Sequence, residues 1–240
     1  MHRVDLVTTA DQVLTSAGLE SPALETDILD IKRMYDVNVF GPMEMITQFT
    51  PLLLHVQGTI VNTGSQCYSI PFISFNFKDQ ANLSTSLIGL LSIMPYPLTA
   101  AYNGSKAALV QYSETLRLEL EPLKIKVVTV VTGQVSSNLP TLPHLSENSI
   151  YKSLEPALAA RTKAHQGMSF FTYNLDVRLF LNPELKISTH HTETMSPETF
   201  AAALVKHVTR SSPSSWFWKG TNSTVTWIVS TFAPRGSFVS

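Results

Sequence analysis

Tyr102 and Lys106 stand four residues apart in Tyr102-Asn103-Gly104-Ser105-Lys106, inside a segment that reads as helix. On a helix the two share one face, roughly 6 Å apart along the axis. A cation at that distance favours the phenolate, so the phenol should ionise below its free value of about 10. A phenol tuned in this way can donate or accept a proton near neutral pH. Tyr and Lys at this spacing also decorate many solvated helix faces, so the pair takes its meaning from what surrounds it.

Three other segments surround it. Gly58-Thr59-Ile60-Val61-Asn62-Thr63-Gly64-Ser65 reads as a short buried strand, Thr59 to Thr63, with Ser65 just past its carboxyl end. Asp36-Val37-Asn38-Val39-Phe40-Gly41 lies inside an apolar-periodic helix. Lys126-Val127-Val128-Thr129-Val130-Val131-Thr132-Gly133 is a β-branched run closed by Gly, the pattern of a parallel strand buried on both sides. Together with Ala100-Ala101-Tyr102-Asn103-Gly104-Ser105-Lys106-Ala107-Ala108-Leu109 and Thr115-Leu116-Arg117-Leu118-Glu119-Leu120, these segments resemble the short-chain dehydrogenase/reductase family from Asp27 to about Ser137.

The resemblance implies an α/β fold with a Rossmann-like, doubly wound parallel sheet. It also implies an active site of Asn38, Ser65, Tyr102 and Lys106. Tyr102 would protonate a carbonyl oxygen as hydride arrives. Lys106 would lower the Tyr102 pKa and hold the nicotinamide ribose. Ser65 would bond the substrate oxygen, and Asn38 would place a water in the proton path. Asn38, Tyr102 and Lys106 would also touch the cofactor, and Thr132, Gly133, Val135 and Ser137 match the turn that borders the nicotinamide. A narrower resemblance, to fungal NADPH-dependent 1-acyldihydroxyacetone-phosphate reductases, rests on Asp36 to Pro42, on Val130-Val131-Thr132-Gly133 and on Trp216-Phe217-Trp218-Lys219-Gly220. It implies NADPH, a lipid ketone substrate, and the endoplasmic reticulum membrane or lipid-droplet surface, facing the cytosol. A cytoplasmic location is the alternative.

Two departures stand out. The family's Gly-rich phosphate turn is absent from the sequence, and the only early glycine is Gly18. We therefore expect a fold lacking its first βαβαβ half, with Val13 to Thr15 as an open edge strand. Ser65 and Tyr102 are also unusually far apart. Pro71 to Met94 is the surplus, either an unremoved intron or a substrate-covering insertion, since long loops in compact domains are uncommon.

Composition narrows the function classes. With 240 residues and 44% hydrophobic content, the chain suits one domain over 1–240. A net charge of -1 gives no reason to expect nucleic acid. The single Cys67 forbids an intrachain disulfide, and no metal-ligand spacing occurs. Cys67 reads as a small apolar filler, and His190-His191 as a solvated pair.

The positioning elements follow from pattern. Thr26 or Asp27 caps a long helix to about Leu54, with Ile31, Met34, Phe40, Met43, Ile46 and Phe49 as its apolar face and with Pro42 and Pro51 bending it. Ala100 to Leu120 is the helix carrying Tyr102, stopped by Pro122. Ser196-Pro197-Glu198 opens a helix to about Thr209. Trp216 to Arg235 is an apolar tail. In it, Trp216 to Gly220 is either the last core strand or part of an interfacial anchor, and Thr224 to Ala233 is too short to span a bilayer. Two functions follow: an NADPH-dependent ketoreductase acting on a lipid ketone, or a non-catalytic remnant or membrane-associated binding protein.

Overall fold

The computed structural model describes residues 21–65, 98–133, 135–136, 145–156, 194–221, 223–224 and 227, and the backbone of 5–8. Four parallel strands form one sheet in chain order: β1 (Asp5–Thr8), β2 (Thr59–Ser65), β3 (Lys126–Thr132) and β4 (Trp216–Lys219). Each crossover carries helix: α1 (Ile28–Tyr35) and α2 (Gly41–Val56) between β1 and β2, α3 (Ala100–Leu120) before β3, and α4 (Pro197–Val208) before β4. This is the arrangement expected of βαβ units.

The helices cover both faces. Ile46 and Leu53 of α2 and Leu116 and Leu120 of α3 pack with Ile60, Ile125 and Val127 on one side. Val61, Val128 and Val130 meet Val208, Phe200 and Leu204 of α4 on the other, together with Phe217 of β4. Strand side chains alternate between faces, so β2 and β3 each feed two cores, and β3 reads as an unbroken β-branched run from Val127 to Thr132. Burying each such side chain contributes roughly 1.5–3 kcal/mol of transfer free energy.

Several expectations change. The strand beside β2 is Asp5–Thr8, in register from Asp5↔Thr59 to Thr8↔Asn62. Val13 to Thr15 lies outside the described residues, as do Gly18, Cys67, Pro71 to Met94, Ser137 and His190-His191. Four residues containing one acid carry almost no period, which is why β1 escapes pattern reading. Among the described residues β1 is an edge strand.

The long helix is capped by Asp27, whose Oδ1 accepts the Leu29 N–H at 2.7 Å. It is interrupted at Asp36–Phe40, a π turn closed by the Gly41 N–H on the Asp36 carbonyl, rather than at a proline. Pro42 falls in the first turn of α2, directly after the π turn, and α2 runs through Pro51. The widened turn rotates Phe40 out of the buried face, leaving it 55% exposed. Phe49 is 42% exposed as well. Met34, Asn38, Val39, Pro42, Ile46 and Leu53 are the buried positions. Trp216–Lys219 is a strand of the sheet, paired with β3 and half-buried along its length. Phe217 faces α4, 4.7 Å from His207 between ring centroids. Trp216 and Trp218 therefore stack on each other across the opposite face of the sheet.

Candidate active site

Pairing of β2 with β3 sets Ser65 directly beside Thr132 at the carboxyl ends of the strands. In open parallel sheets this is where ligands bind. Helix α3 lies over these ends. Its Lys106 is fully buried, and Nζ donates to the Thr63 carbonyl of β2 at 3.4 Å. The same Nζ lies over the Tyr102 ring, 5.7 Å from its centroid. One helical turn thus places the phenol and the ammonium on a common face, and the buried ammonium is tied to the strand that ends in Ser65.

Asn38 enters from the π turn. It is fully buried, and its Nδ2 donates to Ser105 Oγ at 3.0 Å. Ser105 Oγ donates in turn to the Tyr102 carbonyl at 2.8 Å. The Asn38 side chain is therefore joined to the first turn of α3. Its Oδ1 is buried with no hydrogen-bond partner among the described residues.

Beyond β3 the chain is held by backbone contacts. The Gly133 N–H donates to the Lys219 carbonyl at 2.7 Å. A Cβ on Gly133 would lie 2.7 Å from the Thr221 carbonyl oxygen, and Gly220, at φ +112°, abuts Gly133 just as closely. Val135 bridges Met195 in parallel, and the Ser136 N–H donates to the Met195 carbonyl. The Met195 N–H is held by Thr221 Oγ1. The exits of β3 and β4 and the start of α4 therefore lock together.

A second polar link fixes α3 along the sheet. Asn62, buried in the middle of β2, donates from Nδ2 to Ser113 Oγ at 2.8 Å, and Ser113 Oγ donates to the Leu109 carbonyl. On β3, the Thr129 hydroxyl donates to Glu114 Oε1 at 3.1 Å, while the other oxygen of Glu114 pairs with Arg117. A polar residue in the middle of a buried apolar strand is the signal that could have picked out Asn62. Gly220, read as the end of the Trp216 to Gly220 segment, owes its role to a neighbour 87 positions away in sequence, Gly133.

The structure thus gathers Asn38, Ser65, Tyr102, Lys106 and Thr132 around the carboxyl ends of β2 and β3 and puts Gly133 and Val135 on the adjoining turn. Ser137 lies outside the described residues. Thr63 Oγ1, Thr132 Oγ1 and Asn38 Oδ1 are buried side-chain oxygens without a partner among the described residues. Beside a buried ammonium, such oxygens fit the hydroxyls and carboxamide of a nicotinamide riboside. The sequence supplies no Gly-rich turn for a pyrophosphate. Among the described residues no group of three His, Cys, Asp or Glu is placed to hold a metal ion, and no helix is long and apolar enough to cross a membrane.

Comparison with known proteins agrees with this geometry. The family model for short chain dehydrogenases matches residues 2–76 and 85–142. The chain is 32% identical over 227 residues to the short-chain dehydrogenase virD of Hypocrea virens, covering 94% of this chain and 63% of that protein. It is 34% identical over 142 residues to the NADPH-dependent 1-acyldihydroxyacetone phosphate reductase of Schizosaccharomyces pombe, covering 56% of this chain and 40% of that one. A crystal structure of a short-chain dehydrogenase from Streptomyces avermitilis shares the fold at a TM-score of 0.54 and 21% identity, covering 94% of this chain and 64% of the other. The chain thus spans less than two thirds of the length of these proteins. Its parallel sheet, the Tyr102–Lys106 turn over the carboxyl strand ends and the family match together make this chain a member of the short-chain dehydrogenase/reductase family.

Proposed function

We propose that the chain is the catalytic part of an NADPH-dependent ketoreductase whose substrate is a lipid-precursor ketone such as an acylated dihydroxyacetone phosphate. The observation that carries the reading is Lys106, buried between the Tyr102 ring and the Thr63 carbonyl. Taking an ammonium out of water is costly, and buried charges of this kind are found preferentially at functional sites. Here it sits one turn from a phenol, where it favours the phenolate that forms when Tyr102 gives up its proton. NADPH, when bound, supplies the hydride. Tyr102 then protonates the carbonyl oxygen, Ser65 holds that oxygen by a hydrogen bond, Lys106 and Thr132 hold the ribose and carboxamide end, and Asn38 keeps the first turn of α3 in place. The similarity to the fission-yeast reductase supports NADPH and the lipid ketone.

Peripheral association with the endoplasmic reticulum or lipid droplets, through the residues after Asn222, belongs to the same proposal. Trp227, 42% exposed, is suited to the headgroup layer. A second reading is a chain that does not bind the cofactor, since no Gly-rich turn occurs within these 240 residues.

Titration of the purified chain with NADPH, followed by nicotinamide fluorescence, separates the two. Micromolar affinity supports the reductase, and absence of binding up to millimolar supports the second reading. In the reductase case Tyr102→Phe lowers turnover by about 100-fold or more with cofactor affinity kept, because only the proton donor is lost. Lys106→Ala weakens both. A Tyr102→Phe variant with wild-type turnover refutes the assigned acid.

A further inference from the structure

We propose that Tyr35 and Ser105 are positioning residues that, with Asn38, set the location of the first turn of α3 and hence of the Tyr102 phenol. Tyr35 is the last residue of α1, and Asn38 lies three residues on, in the π turn. Their two contacts fall on consecutive residues of α3. Tyr35 Oη lies 2.9 Å from the point where a Cβ on Gly104 would stand, with its Cζ at 4.0 Å. Asn38 Nδ2 bonds Ser105 Oγ, which bonds the Tyr102 carbonyl. The bare face of Gly104 lets the Tyr35 phenol close on the helix backbone, and Ser105 passes the grip of Asn38 to the very residue whose side chain reacts. Lys106, the next residue, is tied to β2 through the Thr63 carbonyl. Two points of hold from the α1–π segment and one from the sheet leave Tyr102 little freedom to rotate or slide.

The π turn gives this arrangement its reach. It carries Asn38, whose Nδ2 reaches Ser105 Oγ on α3. Three residues apart, Tyr35 and Asn38 both reach α3, and both Asn38 and Ser105 are completely buried. Glycine inside a helix is ordinarily unfavourable relative to alanine, so Gly104 has a packing reason to be there, and Tyr35 is that reason.

The test is a compensating pair. Gly104→Ala puts a methyl group into the Tyr35 hydroxyl, and Tyr35→Phe removes that hydroxyl. We label tyrosine rings with carbon-13 in the full chain and identify the Tyr102 signal by its loss in Tyr102→Phe. Gly104→Ala and Ser105→Ala should each displace that signal, and Tyr35→Phe added to Gly104→Ala should return it. Tyr35→Ala alone, which takes the ring away from Gly104, should displace it as well. In turnover, for which the inference rests on the reductase reading, Gly104→Ala should lower kcat by about 10–100-fold, a misplacement effect, with NADPH affinity within about threefold of wild type. The double variant should recover it. The ring signal is read without turnover, so an inactive wild type defeats the reductase reading and leaves this inference to its own result. A Tyr102 signal unmoved by Gly104→Ala, or moved and not restored by Tyr35→Phe, overturns the proposal.

Discussion

Asn62→Ala should destabilise the chain through the loss of a single buried clamp. The carboxamide sits in the centre of β2 at 1% exposure and donates to Ser113 Oγ at 2.8 Å. Removing it forfeits that bond, worth about 1 kcal/mol net. It also empties a carboxamide-sized space between β2 and α3, which relaxes only partly and costs about 1–2 kcal/mol more. The Ser113 hydroxyl still donates to the Leu109 carbonyl, so that hydroxyl is not stranded. A total of about 2–3 kcal/mol in a chain of this size lowers the melting temperature by roughly 5–10 °C. Ser113→Ala removes the same bond with a smaller space, at about 1 kcal/mol. Because the two side chains share one interaction, the double variant should cost about 1 kcal/mol less than the singles combined. Urea denaturation of the four proteins, with matched slopes, measures this coupling. A coupling under about 0.3 kcal/mol would show that Asn62 and Ser113 contribute independently and that the clamp does not hold α3 on the sheet.

Two further outcomes follow from packing and charge. Gly220→Ala sets a methyl group 2.7 Å from the Gly133 backbone in a φ +112° conformation that L side chains rarely adopt. It should cost about 2–3 kcal/mol or more, read as a drop of roughly 5–10 °C in the melting temperature; a drop under about 2 °C would show that the strand exits can separate freely. Burial, and then the Glu119 carboxylate, push the Tyr112 phenol above its ordinary 10.0. The unfolded chain loses that proton near pH 10 while the folded chain keeps it, so stability is fully present below about pH 10 and falls as pH rises beyond it. Tyr112→Phe should flatten this alkaline fall in denaturation midpoints measured from pH 9 to 11. An unchanged fall would place its origin elsewhere.

How much of this was legible in sequence depends on the range of the interaction. The span of α3, the Ser196 and Asp27 caps and the buried character of β2 and β3 follow from neighbours within a turn or a strand, and the structure places them as the pattern does. The spacing of Tyr102 and Lys106 likewise needs only helical geometry. Phe40 and Phe49 read as core because the pattern assumes an unbroken helix. The π turn, and what covers α2, decided otherwise. The strand Asp5–Thr8 was not anticipated because a four-residue strand is defined by its partner in the sheet rather than by its own period.

The sequence by itself determined that this is an α/β chain of one family, with a phenol and an ammonium one turn apart, because local propensity and side-chain periodicity are properties of contiguous residues. Only the tertiary structure decided which groups those residues meet. Lys106 finds the Thr63 carbonyl, Asn38 finds Ser105, Gly133 finds Gly220 and Asn62 finds Ser113 across 43 to 87 positions of chain. Such contacts depend on strand register and helix rotation, which the packed core fixes as a whole and no local stretch encodes.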